Sequence, residues 1–284
     1  MKQISIIVRT STRYILLNRT IKDIQQQTFK NWKIILVNDG GDKKKIQCIL
    51  DNNHLLPEQY SFIQSEKNMG LHKSINLGVD AIETKYVVVH DDDDTWNKTF
   101  LHETVSYLET NQNCYGVITH SNKIYEKIEN NEVKVKKIKP FNYQLKGVIS
   151  IYDMLKNNLF SPISFVYRTE VYKEIGRFDE SLEVLEDWEF NLRFLSKYDI
   201  HIIEQPLANY HIRIAHSSLE ESFKNTITSK KAIHEKYDTI IRNRYLRYDL
   251  DNKQCGLGVL MNLLKWSEGK MVRWMKKILK GRRG

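Results

Sequence analysis

Four consecutive aspartates, Asp91 to Asp94, constrain this chain more than any other stretch of its sequence. They directly follow the apolar run from Tyr86 to Val89, which is typical of a strand buried on both faces. Two charges about 4 Å apart repel by roughly 1 kcal/mol in water and by roughly 4 kcal/mol at an effective dielectric near 20. Carboxylate oxygens suit Mg²⁺ or Mn²⁺, either of which would offset the repulsion. Acidic runs are usually solvated turns, but the buried strand before this one favours a metal site.

The residues before the aspartates alternate between apolar runs and helical periodicity. The predicted strands cover residues 4–8, 32–37, 60–63 and 86–90. The predicted helices between them contain Leu17, Ile21 and Ile24, then residues 42–53, then residues 71–82. This alternation predicts a mostly parallel sheet with helices on its faces. Open sheets of this kind bind ligands at the carboxyl ends of their strands, which is where the aspartates lie.

The second half of the chain is less regular. Its predicted strands cover residues 115–119, 160–167, 200–203 and 207–212, with a polar hairpin over residues 124–138. Its predicted helices cover residues 98–109, 170–175 and 185–198, and from Ser217 onward the pattern is helical and charged.

Two further acidic positions lie at the ends of predicted elements. Glu186 and Asp187 open the helix that continues through Trp188, where the helix dipole favours carboxylates, so capping alone would explain them. Asp39 follows the second strand and precedes Gly40, where it could be only a turn residue. Each position has a structural explanation, and the order of all three acidic sites along the chain is what points to function.

Taken in order, these motifs resemble the family 2 glycosyltransferases, which have the GT-A fold. The resemblance spans residues 3–216 and is carried by Ile4 to Thr10 with Arg13, Gln27 to Phe29, Val37 to Gly41, Asn68 with Gly70, Asn76 with Gly78, His90 to Trp96, Gly176 to Asp179, Glu186 to Trp188, and Tyr210 to Arg213. It implies an α/β, Rossmann-like GT-A domain over residues 1–216. Residues 1–120 would form its nucleotide-binding half and residues 121–216 its acceptor-binding half, followed by a helical, basic extension over residues 217–284.

The resemblance also implies an activity and roles for individual residues. The protein would be an inverting glycosyltransferase that uses a nucleotide sugar, a UDP-sugar for preference, together with Mn²⁺ or Mg²⁺. Asp187 would be the catalytic base, and Asp93 with Asp91 would bind the metal. The implied nucleotide-sugar contacts are Thr10, Arg13, Asp39, Asn68, Asp91 and Asp92.

The chain departs from the family pattern at both ends of the resemblance. Arg9 stands where the family commonly has proline. The closing motif usually reads Tyr-Arg-x-His, whereas here His211 and Arg213 are exchanged. These two residues are candidates for a phosphate or metal contact.

Two other classes of protein compete with this interpretation. Asp91-x-Asp93-x-Thr95 matches the opening motif of haloacid-dehalogenase-type phosphatases, in which Asp91 would be a nucleophile. That motif usually lies near the start of a chain, whereas three predicted strands precede it here. A nucleic-acid-binding module would use the basic tail with Trp266 and Trp274 as stacking rings, but no recognised motif accompanies them and the body of the chain is nearly neutral.

The basic charge is concentrated at the end of the chain. The net charge is +9, and residues 261–284 contain eight lysines and arginines against one acid. An apolar stripe runs through them at helical spacing: Met271, Trp274, Met275 and Ile278. We expect an amphipathic helix lying on an anionic membrane, although a helix packed on its own domain would have a similar pattern.

The expected location is cytoplasmic, on the inner face of the cell membrane. The three cysteines, Cys48, Cys114 and Cys255, are scattered and indicate a reducing compartment. The start of the sequence is too short for a signal peptide, and the chain contains no run of eighteen apolar residues. A glycan or lipid-linked acceptor, used in cell-surface polysaccharide synthesis, would suit this placement.

Overall fold

The computed structural model describes residues 2–129, 132–213 and 231–267. Within these residues a nine-stranded mixed sheet forms the centre of the fold. Four of its strands are mutually parallel: β1 Ile4–Thr10, β2 Trp32–Asp39, β3 Tyr60–Ser65 and β4 Tyr86–Asp91. The helices between them are α1 Tyr14–Gln25, α2 Lys43–Asn52 and α3 Leu71–Asp80. The alternation predicted for this half of the chain is confirmed.

The second half completes the sheet with antiparallel and parallel strands. Its strands are β5 Thr95–Trp96, β6 Gly116–Glu129, β7 Glu132–Pro140, β8 Phe165–Arg168 and β9 Ile200–Arg213. Its helices are α4 Phe100–Thr110, α5 Ile151–Met154, α6 Val171–Ile175 and α7 Glu186–Leu195. The strand order is β3-β2-β1-β4-β8-β6-β9-β5, and β7 pairs with β6. This α/β arrangement agrees with the predicted fold class.

Two predicted strand assignments are corrected, and proline explains both. The strand predicted over residues 160–167 begins only at Phe165, because Pro162–Ser164 forms a 3-10 turn. Proline lacks the N–H that a central strand donates. The two strands predicted over residues 200–212 are one strand, β9, which pairs His120 with Pro206 and shifts register on both sides of that pair.

The core has two layers, one on each face of the sheet. Alternate residues of the central strands enter opposite layers: Ile7 and Val89 pack on one side, and Ile6 and Val88 on the other. Both faces are covered, so apolar residues dominate these strands. The parallel register pairs Arg9 with Asp91, which brings the carboxyl ends of β1 and β4 to the same edge.

The C-terminal helix α8, Lys231–Asp251, packs against the α/β domain. The buried Arg242 guanidinium donates to the carbonyls of Leu155 (3.2 Å) and Lys156 (3.1 Å) and lies 5.1 Å from the Trp188 ring. A further helical stretch covers residues 257–267. Helical structure after residue 217 is thus confirmed for these segments, whereas the boundary near Ser217 and the apolar stripe of the tail lie outside the described residues. No helix in the described part of the chain combines the length and apolarity that a membrane span requires.

Candidate active site

A cavity of about 760 Å³ lies at the carboxyl ends of the central strands. Polar and charged side chains from distant parts of the chain line it, among them Arg13, Asn68, Asp91, Asp93 and Asp187. Five of the residues assigned a role by resemblance therefore share one cavity, in which Asp187 lies together with Asp91 and Asp93.

The aspartates after β4 turn inward rather than into solvent. Asp92, Asp93 and Asp94 are buried, with exposed fractions of 0%, 5% and 1%. A solvated acidic turn is therefore excluded for these three residues. Charges so deeply buried need partners.

Arginines supply most of those partners. Arg13 lies 2.5 Å from the carboxylates of both Asp92 and Asp93. Arg213 forms an ion pair with Asp93 and another, at 3.0 Å, with the buried Glu126. Burial alone would raise the pKa of Asp93, but the guanidiniums of Arg13 and Arg213 outweigh it and lower that pKa to about 2. Asp93 is therefore ionised.

Glu126 lies at the centre of a second group of contacts that the sequence did not predict. Arg19 donates to both of its carboxylate oxygens, at 2.8 and 3.2 Å, and also to the backbone carbonyl of Asp93. His211 contacts Glu126 through Nδ1 (2.6 Å) and Thr95 through Nε2 (2.9 Å). Neither Arg19 nor Glu126 belongs to a recognisable motif, so no sequence signal marked them. The exchanged pair His211 and Arg213 thus bind acids within the cluster.

The aspartates retain a set of oxygens suited to a cation. Carboxylate oxygens of Asp91, Asp93 and Asp94 all lie within 4.8 Å of one another. Asp94 Oδ2 is buried and accepts no hydrogen bond within the described residues. Burial and the charge of Asp93 raise the pKa of Asp91 to about 7. This surplus of closely spaced, hard oxygen donors fits Mg²⁺ or Mn²⁺. The resemblance indicated Asp91 and Asp93, and the geometry adds Asp94.

Some of the residues implied in nucleotide binding line the cavity, and others are buried without lining it. Asp39 is buried, accepts from the Met69 backbone N–H (2.7 Å) and forms an ion pair with Arg9 (2.8 Å). The Thr10 hydroxyl donates to Asp92 at 2.7 Å, and both side chains are buried. Arg9, Arg13 and Asn68 line the cavity, whereas Thr10, Asp39 and Asp92 are not among its lining residues.

The turn after β2 explains why its sequence contains two glycines. A Cβ atom on Gly41 would lie 1.9 Å from the backbone oxygen of Ser11, and Gly40 has a φ of +76°. Only glycine allows this approach between the loops that follow β1 and β2. The approach brings the end of β2 close to the cavity.

Asp187, the second residue of α7, accepts one hydrogen bond from outside the helix and one from within it. Its carboxylate accepts hydrogen bonds from the Asn158 amide and from the Trp188 backbone N–H, both at 2.7 Å. The Asn191 amide donates to Asn158 Oδ1 at 3.1 Å, which fixes the orientation of Asn158. Burial and then the charge of Glu186 raise the pKa of Asp187 to about 7. Capping alone does not account for a carboxylate oriented by a second side chain.

Comparison with known proteins agrees with the fold. The family model described as Glycosyl transferase family 2 matches residues 5–176. An uncharacterized glycosyltransferase of Methanocaldococcus jannaschii is 27% identical over 197 residues, covering 69% of this chain and 66% of that protein. An uncharacterized glycosyltransferase of Bacillus subtilis is 28% identical over 201 residues, covering 70% of each. The chain thus spans about two thirds of the length of these relatives.

The solved structure of S. aureus TarS 1-349 has a similar fold, with a TM-score of 0.55 and 18% identity, covering 74% of this chain and 60% of that one. The fold is that of the GT-A glycosyltransferases. The chain belongs to glycosyl transferase family 2. The predicted family is therefore confirmed, and membership in it argues against the phosphatase hypothesis for Asp91.

Proposed function

We propose that the protein transfers a sugar from a nucleotide-sugar donor to a hydroxyl group of a glycan or lipid-linked acceptor, with inversion of the anomeric carbon. The observation that carries this proposal is the shared cavity, in which Asp91 and Asp93 face the same space as Asp187. TarS has been solved in complex with UDP and with UDP-GlcNAc, and we extend a UDP-sugar donor to this chain.

Asp187 acts as the general base in this proposal. Its carboxylate takes the proton of the acceptor hydroxyl while the hydroxyl oxygen attacks the anomeric carbon. The bond from that carbon to the phosphate oxygen breaks, and its electron pair leaves with the nucleoside diphosphate. A pKa of about 7 keeps much of Asp187 ionised at neutral pH and matches the proton affinity that efficient base catalysis requires. A single displacement needs one base, unlike the paired carboxylates of glycosidases.

The part of the cavity lined by Asp91 and Asp93 receives the diphosphate. A divalent cation, when bound by Asp91, Asp93 and Asp94, supplies positive charge against the leaving group. Arg9 and Arg13 line the cavity beside these aspartates. Their ion pairs with Asp39, Asp92 and Asp93 hold both guanidiniums in place.

The test separates donor binding from transfer. Calorimetry with UDP and other nucleoside diphosphates, with and without Mn²⁺, measures binding, and UDP release from a sugar donor in the presence of an acceptor measures transfer. Asp187→Asn keeps the shape of the side chain but removes the proton acceptor, so UDP affinity should stay within a few fold. Transfer should fall by at least about 10², the usual worth of a general base.

A matched control is Asp199→Asn, which changes an exposed carboxylate away from the cavity and should leave both measurements unchanged. Normal turnover by Asp187→Asn would remove Asp187 as the base. A wild-type protein that binds no nucleoside diphosphate with or without Mn²⁺ would contradict the proposed function itself.

The cellular setting is also a proposal. We infer a role in cell-surface polysaccharide synthesis at the inner face of the membrane, supported by the basic residues of the tail. Met261 and Leu264 are buried in the core, so a truncation that tests the tail should begin after residue 267.

A further inference from the structure

The hairpin formed by β6 and β7 has one face made largely of lysine. Residues paired across antiparallel strands project to the same side of a sheet, and the register pairs Lys123 with Lys139, Tyr125 with Lys137, and Lys127 with Lys134. We call the resulting surface the lysine face, defined as Lys123, Lys127, Lys134, Lys137 and Lys139. The irregularity between Tyr125 and Glu126 leaves Lys136 outside these pairs.

This arrangement carries a cost that the fold does not offset. Like charges directly opposite each other destabilise a sheet, and Lys123 and Lys139 form such a pair. Burial and the charge of Lys139 lower the pKa of Lys123. In the part of the chain that the structure describes, no acidic side chain forms an ion pair with Lys123, Lys127, Lys137 or Lys139.

The lysine face begins at the rim of the catalytic cavity. Lys123 pairs with Tyr210 of β9, and its Nζ lies 3.8 Å from the centroid of the Phe141 ring. The Phe141 and Tyr210 rings are 6.4 Å apart, and both line the cavity. At about 3.3 Å per residue, the four steps from Lys123 to Lys127 extend the positive charge outward by about 13 Å.

We propose that the lysine face binds a polyanionic acceptor chain that runs out of the catalytic cavity, with repeated phosphate or carboxylate groups along it. This inference rests on the proposed function and names its acceptor class. Anions at the lysines would offset the cross-strand repulsion, and a linear row of charges fits a linear polymer. A lysine ammonium binds a phosphate as a compact point charge.

An anionic membrane is the competing partner, and the hairpin argues against it. Its exposed apolar side chains are Val135 (55% exposed) and Ile138 (60% exposed). They pair with Glu126 and Ile124 and so lie on the face opposite the lysines. A surface that inserts into the membrane interface needs its apolar side chains next to the basic ones, both facing the lipid. A polymer requires only the lysine face.

The test uses the full chain and compares two triple variants with the same change in charge. Lys127→Gln/Lys137→Gln/Lys139→Gln neutralises three residues of the lysine face that have no acidic partner within the described residues. Lys22→Gln/Lys173→Gln/Lys197→Gln neutralises exposed lysines on other elements. Each protein is titrated at fixed ionic strength with inorganic polyphosphate, polygalacturonate and neutral dextran, and is sedimented with phosphatidylglycerol vesicles. UDP binding and donor hydrolysis are measured in parallel.

The expected result is a loss of at least about tenfold in affinity for one or both polyanions in the hairpin variant, as three modest ion contacts would produce. The polyanion that loses more identifies phosphate or carboxylate as the preferred group. The control triple should stay within twofold, dextran should not bind, and UDP binding and donor hydrolysis should be unchanged. The melting temperature of the hairpin variant should not fall, because the substitutions remove like-charge repulsion.

Equal polyanion affinity in the two triple variants would overturn the proposal, since only net charge would then matter. Loss of vesicle binding with polyanion affinity intact would also overturn it and assign the lysine face to the membrane. Absence of UDP binding in the wild-type protein would count against the proposed function, whereas the polyanion comparison does not depend on it.

Discussion

Replacing Arg213 with methionine should destabilise the protein strongly, because this arginine neutralises two buried acids at once. Its side chain is 3% exposed, and its guanidinium bonds to Asp93 and Glu126, which are 7% and 0% exposed. Methionine retains much of the apolar volume but donates no hydrogen bond. Asp93 and Glu126 would therefore each lose one charged partner.

The magnitude follows from these contacts. Removing one partner of a buried ion pair costs about 3–5 kcal/mol. Arg13 still contacts Asp93, and Arg19 still contacts Glu126, so the lower end, about 3 kcal/mol, is expected. For a chain of this size each kcal/mol lowers the melting temperature by about 2–4 °C. The predicted decrease is therefore about 6–12 °C.

The loss should also depend on pH with a defined sign. Arg213 is one of the groups that lower the pKa of Asp93 to about 2. A carboxyl with a lowered pKa stabilises the fold fully above its ordinary pKa near 4, and this contribution disappears as the pH falls toward 2. The difference between the wild type and Arg213→Met should be constant near pH 7 and narrow below about pH 4.

The assay is urea unfolding together with thermal melts, with and without Mn²⁺. The matched control is Arg177→Met, whose ion pair with Asp80 is exposed on both sides, at 48% and 57%, and should contribute at most about 1 kcal/mol. Mn²⁺ should raise the melting temperature of Arg213→Met more than that of the wild type, because the acid cluster has lost a positive charge. An Arg213→Met protein within 1 kcal/mol of the control would refute the reasoning.

Four shorter predictions test the rest of the site. Asp94→Asn should weaken the effect of Mn²⁺ on UDP affinity by at least about tenfold, because it replaces the carboxylate whose buried oxygen has no partner among the described residues. Calorimetry measures this effect, and an undiminished Mn²⁺ effect would remove Asp94 from the cation site. The transfer rate should fall below about pH 7, because Asp187 becomes protonated on this acidic limb of the pH–rate profile. Glu186→Gln removes a like charge and should therefore move the acidic limb to lower pH. A pH-independent rate would contradict both expectations. Asn158→Leu should move the same limb to higher pH and lower kcat more than it changes KM for the donor, whereas a change in stability alone would leave the limb in place. Removing residues 268–284 should abolish salt-sensitive sedimentation with anionic vesicles and leave UDP binding intact, and equal sedimentation of the truncated chain would exclude a membrane role for the tail.

Much of the fold could be read from local pattern. Runs dominated by apolar residues marked the central parallel strands, and polar residues marked their ends, because a strand covered on both faces carries few polar side chains until it emerges. The sequence pattern therefore located Asp39, the aspartates from Asp91 to Asp94, and Asp187, together with the family to which the chain belongs. The two errors in the predicted strands both lie at prolines. The 3-10 turn at Pro162 delays the start of β8, and β9 continues through Pro206 with a shift in register.

The sequence by itself thus determined which elements form, which faces they bury and where the acidic residues emerge, because these properties depend on periodicity over a few residues. Only the tertiary structure decided what each acid meets. Glu126 is 107 residues from Arg19 and 87 from Arg213, and Asn158 is 29 residues from Asp187. Such pairs are created by strand order, which carries no local signal. The lysine face likewise depends on one register irregularity after Tyr125, because a shift of one residue in a strand exchanges its two faces.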